Sequence, residues 1–229
     1  MLTAEIKPEA LDVSIAVVPQ LYLKLRDLIL TGELVPGVRL SETDIAEAYS
    51  VSRQPVREAF IKLVEDGLLE IRPQRGSFVR KIVIQQVMDA RFIREAIEAE
   101  IVRLAAVSAN SDTITNLRHM IAAQKSVAHD GRAFIALDDS FHMMLATVAD
   151  KLNVWHIMVT LNVQKDRVRQ LAAQDYPIDR LITQHETIVD AIARKDPDAA
   201  EAAMRHHLRE VLADLPKIAA KHANYFESP

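Results

Sequence analysis

The sequence contains no cysteine, so disulfides and thiolate-held metal sites are excluded, and a reducing compartment is compatible with the chain. Glycine is scarce at five residues and aromatics make up 5%, while Ala, Leu, Ile, Val, Glu and Arg abound; that balance favours helix over sheet. No apolar run approaches the roughly 18 residues of a membrane span. The start lacks the charged-then-apolar order of a secretion signal. Missing too are an HExxH pair, a nucleophilic serine elbow and a glycine-rich phosphate loop, so no clear general base or nucleophile stands out. The expectation is a cytoplasmic, non-enzymatic protein with no membrane partner.

Hydrophobic residues make up 49% of the 229, enough for one large or two modest cores. Net charge is −4, which does not advertise a nucleic-acid partner, but distribution matters more than the sum. Residues 71–81 hold Arg72, Arg75, Arg80 and Lys81 with no acid among them. With Arg53 and Arg57 these form either a basic docking face or an ordinary solvated surface.

Residues 1–16 carry little pattern and are expected as a flexible leader. Leu21, Leu25, Leu28 and Ile29 then fall at helical spacing up to Gly32, and Pro36-Gly37 makes a turn. Ser41 reads as the N-cap of a short helix with Asp44 in its first turn. Ser52 caps a third helix, with Pro55 in its first turn and Val56, Ala59, Phe60, Leu63 and Val64 as its buried stripe. Leu69-Glu70-Ile71 and Ser77-Phe78-Val79 alternate around Pro73-Gln74-Arg75-Gly76 as a hairpin. Three helices and a hairpin in this order predict a winged helix-turn-helix over 17–81.

Within that stretch, Gly32-Glu33-Leu34-Val35-Pro36-Gly37, Leu40-Ser41-Glu42, Val51-Ser52-Arg53, Pro55-Val56-Arg57-Glu58-Ala59 and Arg75-Gly76 resemble the DNA-binding domain of GntR-family transcription regulators. The resemblance implies a homodimer that lays the third helix in a major groove of a double-stranded DNA operator and the wing tip in the adjacent minor groove. By position it assigns helix contacts to Ser52, Arg53, Gln54, Pro55 and Arg57, and wing contacts to Arg75 and Gly76. Thr43 stands where relatives often carry Arg or Gln, so a charged contact is replaced by a hydroxyl. Arginine can take guanine O6 and N7 bidentately, and a helix start attracts phosphate. The structural alternative for Arg57 is an ion pair with Glu58 or Asp44.

From about residue 82 the hairpin signals vanish, and helical stripes run at 83–107, 111–129, 131–149, 151–173, 178–194 and 197–222. Six amphipathic helices joined this tightly predict an all-α antiparallel bundle over 82–222, followed by a tail at 223–229. Pro216 should kink or end the last helix. The fold class is therefore mainly α.

Asp138 and His142 lie four apart in one helix, with His185 and His207 in the two helices of a later hairpin, a spacing that can converge on one metal ion or on mutual hydrogen bonds. Asp138-x-x-Phe141-His142, His185-x-x-Ile188 and Met204-x-x-His207-Leu208 resemble the FCD effector-binding domain of the FadR subfamily, and six helices are similar to its VanR branch. The resemblance implies a divalent metal on Asp138, His142, His185 and His207: zinc first, with nickel, iron, manganese or cobalt as alternatives. It also implies a small carboxylate effector met by Arg94, unless Arg94 merely pairs with Glu98. Asn162 and Arg169, seven apart, are further candidates for the effector cavity.

These readings together give a ligand-responsive regulator, expected as a repressor that a small organic acid releases from an inverted-repeat operator. The rivals are a metal-dependent hydrolase-like enzyme fused to a DNA-binding head, and a regulator whose metal is purely structural or is itself the signal.

Overall fold

Leu21, Leu25 and Ile29, four apart, form the buried edge of α1 (Val17–Leu30), which ends where Gly32 takes a φ of +80°. This computed structural model describes residues 10–12, 14–161, 163–175, 178–210 and 212–227. The chain divides into two compact units, residues 1–84 with 222–229, and residues 85–221.

In the first unit, β1 (Arg39–Leu40) leads into α2 (Glu42–Ala48), whose N-cap Ser41 accepts the Asp44 N–H at 3.3 Å. Next comes α3 (Arg53–Glu65), which buries Val56, Ala59, Phe60 and Leu63 and packs on α1. Ser52 has the extended backbone of an N-cap, but its hydroxyl makes no capping hydrogen bond. The hairpin is formed by β2 (Leu69–Arg72) and β3 (Gly76–Val79), with Leu69 opposite Val79 and Arg72 opposite Gly76. β1 adds to the far side of β3, giving the order β1-β3-β2. Two residues are too short to show strand alternation, so the sequence does not reveal this third strand.

The C-terminal stretch expected as a tail returns, in its described part, to this same unit. Ile82 donates its N–H to the Tyr225 carbonyl at 2.8 Å and accepts the Glu227 N–H at 3.0 Å, making a parallel bridge with Phe226. Ile82 and Phe226 are both buried, and the Tyr225 ring lies so close to Gly32 that a Cβ there would sit 3.2 Å from the phenol oxygen. The positive φ thus favours glycine at 32, and a side chain there would also have to displace the Tyr225 ring slightly.

The second unit is a helical bundle. Its long helix α4 (Ile84–Ser108) is followed by α5 (Ser111–Ser126) and by α6 (Gly131–Val148), capped by the Asp130 carboxylate. The stripe expected over 151–173 is split between α7 (Leu152–Thr160) and α8 (Val163–Asp175). The β-branched residues Ile157, Val159 and Thr160 weaken the helix where α7 stops. Then come α9 (Asp179–Ala193) and α10 (Pro197–Glu210). The stripe expected to continue to 222 breaks after α10 and resumes as α11 (Leu215–Lys221), because Pro216 is accommodated only in a first turn.

Packing within the bundle pairs α10 with α9, α9 with α5, α5 with α6, and α6 with α8. Gly131 lets α6 and α8 touch: a Cβ there would lie 2.7 Å from the Ala173 Cβ and 2.8 Å from its carbonyl oxygen. Among the described residues no helix is long and apolar enough to cross a membrane.

Removing the buried Phe226 ring should loosen the first unit without touching the bundle. Phe226→Ala is expected to cost about 3 kcal/mol of that unit's stability. The checks are a lower urea midpoint for its transition and faster amide exchange at Ile82 and Glu227.

Candidate functional site

Three helices of the bundle place one charged and three imidazole side chains where their stripes would otherwise be apolar. On α6 the buried positions are Phe134, Asp138, Phe141, His142 and Leu145; on α9 they include Ile182, His185, Ile188 and Val189; on α10 they are Ala200, Met204, His207 and Leu208. Asp138, His142, His185 and His207 are each at most 3% exposed, and one donor atom from each lies within 4.8 Å of all the others.

What the outer nitrogens do decides what the inner ones can do. His185 Nδ1 meets Gln124 Oε1 at 2.8 Å, and His207 Nδ1 meets Gln184 Oε1 at 3.0 Å. An amide oxygen only accepts, so each Nδ1 carries the proton and each Nε2 is bare. Those two bare Nε2 atoms face one another at 3.3 Å, and His185 Nε2 is also 3.3 Å from Asp138 Oδ1. His142 turns Nδ1 to the Glu98 carboxylate in close contact and leaves Nε2 3.9 Å from Asp138 Oδ1, and neither ring nitrogen has a well-aligned hydrogen-bond partner among the described residues. Acceptors packed against acceptors are electrostatically unfavourable unless a cation lies between them. The donor set, one carboxylate oxygen and three imidazole nitrogens, suits a borderline divalent metal. Phe141 stacks on His185 at 4.5 Å between centroids, and Trp155 lies parallel to His142 at 6.2 Å, which fixes both ring planes.

Asp138 is held from behind. Its Oδ2 bonds Arg169 Nη2, while Arg169 Nη1 donates to Asp139 Oδ1 at 2.7 Å. Burial alone would raise the Asp138 pKa, but Arg169 and then the neighbouring imidazoles outweigh it and hold the carboxyl well below its ordinary range. Burial pushes His185 and His207 down, in His207 reinforced by the other two imidazoles. Burial also opposes ionisation of Glu98, yet Arg94 and His142 bring it down to about 2.

Beside this cluster lies a cavity of about 60 Å³. Arg94, Asp138 and Arg169 form its polar inner wall; Phe134, Ala172, Leu181 and Ile218 supply apolar wall; Arg180, Glu210 and Asp214 are its more exposed lining. Arg94 is 2% exposed and pairs through Nε with Glu98, while its Nη2 finds no hydrogen-bond acceptor among the described residues. The pairing with Glu98 that the sequence offered as the structural alternative is present, and Arg94 also lines the cavity. Lys165, buried next to Asp166 at 3.2 Å, is pushed down to about 8 by burial and by Arg94.

Arg169 lines the cavity, but its fork is occupied by Asp138 and Asp139. Asn162 lies outside the described residues. Glu98 was read only as a partner of Arg94, and Gln124 and Gln184 were missed, although Gln124 continues the Leu117, Ile121 stripe of α5 and so carried a signal.

In the first unit, Thr43, Ser52, Arg53, Gln54, Arg57 and Arg75 are exposed, and Pro55 and Gly76 half-buried. Arg53 and Arg57 converge on Glu42, not on Glu58 or Asp44 as the sequence spacing suggested for Arg57. Glu58 instead accepts the Gln54 amide at 2.9 Å. Gly76, with φ +102°, sits at the hairpin turn where a Cβ would lie 3.0 Å from Arg39 Nε.

The depressed imidazole pKa values fix a sign. Below about pH 6.5 the unfolded chain takes up protons at His185 and His207 that the folded chain refuses, so stability must fall as pH falls through that value. Asp138 and Glu98 add a second loss in the same direction at lower pH, Glu98 as pH drops from its ordinary carboxylate value towards about 2. The metal-free protein should therefore show a urea midpoint for the bundle that declines between about pH 7.5 and 5.5, with the decline flattened in His207→Gln.

Residues 18–79 match the family of bacterial regulatory proteins termed gntR, and residues 89–210 match the FCD domain. The chain is 39% identical over 210 residues to the HTH-type transcriptional repressor RspR of Escherichia coli strain K12, covering 90% of this chain and 92% of that protein. A solved GntR structure from Rhodococcus sp. RHA1 is 26% identical, with a TM-score of 0.71 over 87% of this chain and 97% of that one. Escherichia coli McbR/YncC shares the fold at 18% identity, with a TM-score of 0.73 over 91% and 99% of the two chains. Matched domains and relatives are regulators rather than enzymes, and the chain belongs to the GntR family of bacterial transcription regulators, with a helix-turn-helix domain followed by an FCD domain.

Proposed function

We propose that the protein is a cytoplasmic repressor that binds an inverted-repeat operator as a homodimer and is released by a small carboxylate bound beside a divalent metal, zinc first. The observation that carries the effector half of this reading is the convergence of bare imidazole nitrogens and a carboxylate oxygen next to an arginine with an unused, buried N–H. Asp138, His142, His185 and His207 would hold the metal. When bound, it supplies a Lewis-acidic positive centre at the inner wall of the cavity.

The protein's own groups do the rest. Arg94 Nη2 supplies a charge-assisted donor that the carboxylate would satisfy, removing the cost of a buried unpaired N–H. Arg169 keeps Asp138 ionised and oriented, and Gln124, Gln184 and Glu98 keep the imidazoles turned inward. Apolar wall from Phe134, Leu181 and Ile218 excludes water from the body of the ligand. In the first unit, Ser52, Arg53, Gln54, Pro55 and Arg57 would address the major groove, Thr43 a phosphate, and Arg75 and Gly76 the minor groove.

Release requires only that the carboxylate bind the DNA-incompetent state better; tenfold weaker operator binding corresponds to about 1.4 kcal/mol of coupling. The test is operator affinity, measured by anisotropy, for the metal-loaded protein across a panel of small carboxylates, with calorimetry in parallel. Arg94→Met should retain metal and operator binding and lose the response. Carboxylates that bind by calorimetry yet leave operator affinity unchanged would sink the reading. A switch produced by chelator alone, with no carboxylate response, would make the metal the signal.

The outer partners of the imidazoles should be felt in metal affinity. Gln124→Leu and Gln184→Leu are each expected to weaken zinc binding about 10- to 100-fold in chelator competition, with helix content unchanged.

A further inference from the structure

Glu42, the first residue of α2, places a carboxylate between the two arginines that open α3. Its Oε1 accepts Arg57 Nε at 3.1 Å, and its Oε2 accepts both Arg57 Nη2 and Arg53 Nη2 at 3.1 Å. The two guanidiniums are more than half exposed, at 61% and 56%, while Glu42 is only 24% exposed. Ion pairs this exposed contribute little to folding. A negative charge beside groups meant for DNA also opposes phosphate. Neither stability nor attraction to DNA explains it. What it does supply is geometry.

A guanidinium carries five N–H donors on a rigid plane with two forked edges, Nε/Nη2 and Nη1/Nη2. Glu42 occupies the Nε/Nη2 edge of Arg57, leaving the terminal Nη1/Nη2 edge to point onward. That free edge is the one that can take O6 and N7 of a guanine bidentately. The same carboxylate ties Arg53 through one nitrogen, so both side chains lose rotamer freedom before DNA arrives. A carboxylate at this point also competes with a phosphate for the inner edges of the pair.

We propose that Glu42 is a positioning residue for sequence readout: it clamps Arg53 and Arg57 so that their free edges meet bases rather than phosphates, giving up non-specific affinity for specificity. This rests on the reading of α3 as the DNA-contacting helix.

Two effects of removing Glu42 have opposite signs, which makes the proposal testable. Losing a negative charge strengthens binding to any DNA; losing a clamp weakens binding to the chosen sequence. The experiment uses full-length protein, a duplex recovered by the wild type from a random-sequence pool, and a scrambled duplex of the same composition. Anisotropy titrations give the ratio of the two dissociation constants. Glu42→Gln is expected to lower that ratio at least tenfold while binding to the scrambled duplex stays equal or tightens.

Glu42→Asp keeps the charge but is one methylene too short to span both arginines. It should lower the ratio as well, and it decides the matter if Glu42→Gln fails to fold. A ratio unchanged in both variants, or both duplexes tightened by the same factor, overturns the proposal. Arg53→Ala and Arg57→Ala serve as controls. If neither weakens binding to the selected duplex, α3 is not the reading helix and the parent assignment falls with the proposal. If they weaken it while Glu42→Asp leaves the ratio intact, only the clamp is refuted.

Discussion

Three imidazole nitrogens and a carboxylate oxygen, buried within 4.8 Å of each other, cannot be left to themselves. Two of the nitrogens are bare because amide oxygens claim the protons on the far sides of their rings. Burying acceptors against acceptors costs more than burying a satisfied polar pair, since each forfeits its water and gains repulsion. The bundle is arranged around that constraint. Residues from α4, α5, α6, α8, α9 and α10 each contribute a ligand candidate or the group that holds one in place. An ordinary hydrophobic core would need none of this.

Charge balance in the same region is tuned by contact rather than by total. Arg169 is shared between Asp138 and Asp139, and Arg94 between Glu98 and the cavity. Glu98 in turn faces His142, so one carboxylate touches both the candidate metal ligand and the candidate effector contact. Glu98 therefore stays ionised despite burial, and Lys165 is driven down to about 8. A buried charge is tolerated here only where a partner of opposite sign reaches it. Arg94 has its partner in Glu98, yet its Nη2 finds no hydrogen-bond acceptor among the described residues.

Much of this was legible in the sequence, and the reasons for the gaps are physical. Asp138 and His142 announce themselves because polar residues sit at stripe positions flanked by Phe134, Phe141 and Leu145. His207 is separable from His206 because neighbours on a helix point about 100° apart, and the structure buries the first and exposes the second. Gln184 escaped because an isolated glutamine has no spacing to betray it; Gln124 sits on the Leu117, Ile121 stripe, but the role of either exists only once a ring nitrogen comes within reach. Glu98 stood out only as an i,i+4 partner of Arg94, since the pairing itself does not say whether it is buried or what else it reaches. One helix boundary failed, where a β-branched run splits the stripe expected over 151–173; the last helix is interrupted ahead of Pro216, where a kink or end was expected. β1 was invisible because two residues carry no period, and the return of Phe226 to Ile82 is a non-local contact that no local pattern encodes.

The net charge of −4, which by itself does not advertise a nucleic-acid partner, now has a different meaning. Acids are not simply spread over a solvated surface; Glu42 and Glu58 stand against the arginines and glutamine of α3. Placing carboxylates there lowers attraction to phosphate in general, because non-specific affinity is set by counterion release from basic contacts. A regulator with weak non-specific binding depends on a small set of oriented contacts for its residence on DNA. Its occupancy is then sensitive to modest changes in how those contacts are presented, and coupling of one or two kcal/mol suffices to switch it. If Glu42 clamps the reading arginines as proposed, the carboxylates that oppose phosphate are what would make the protein controllable as a DNA binder.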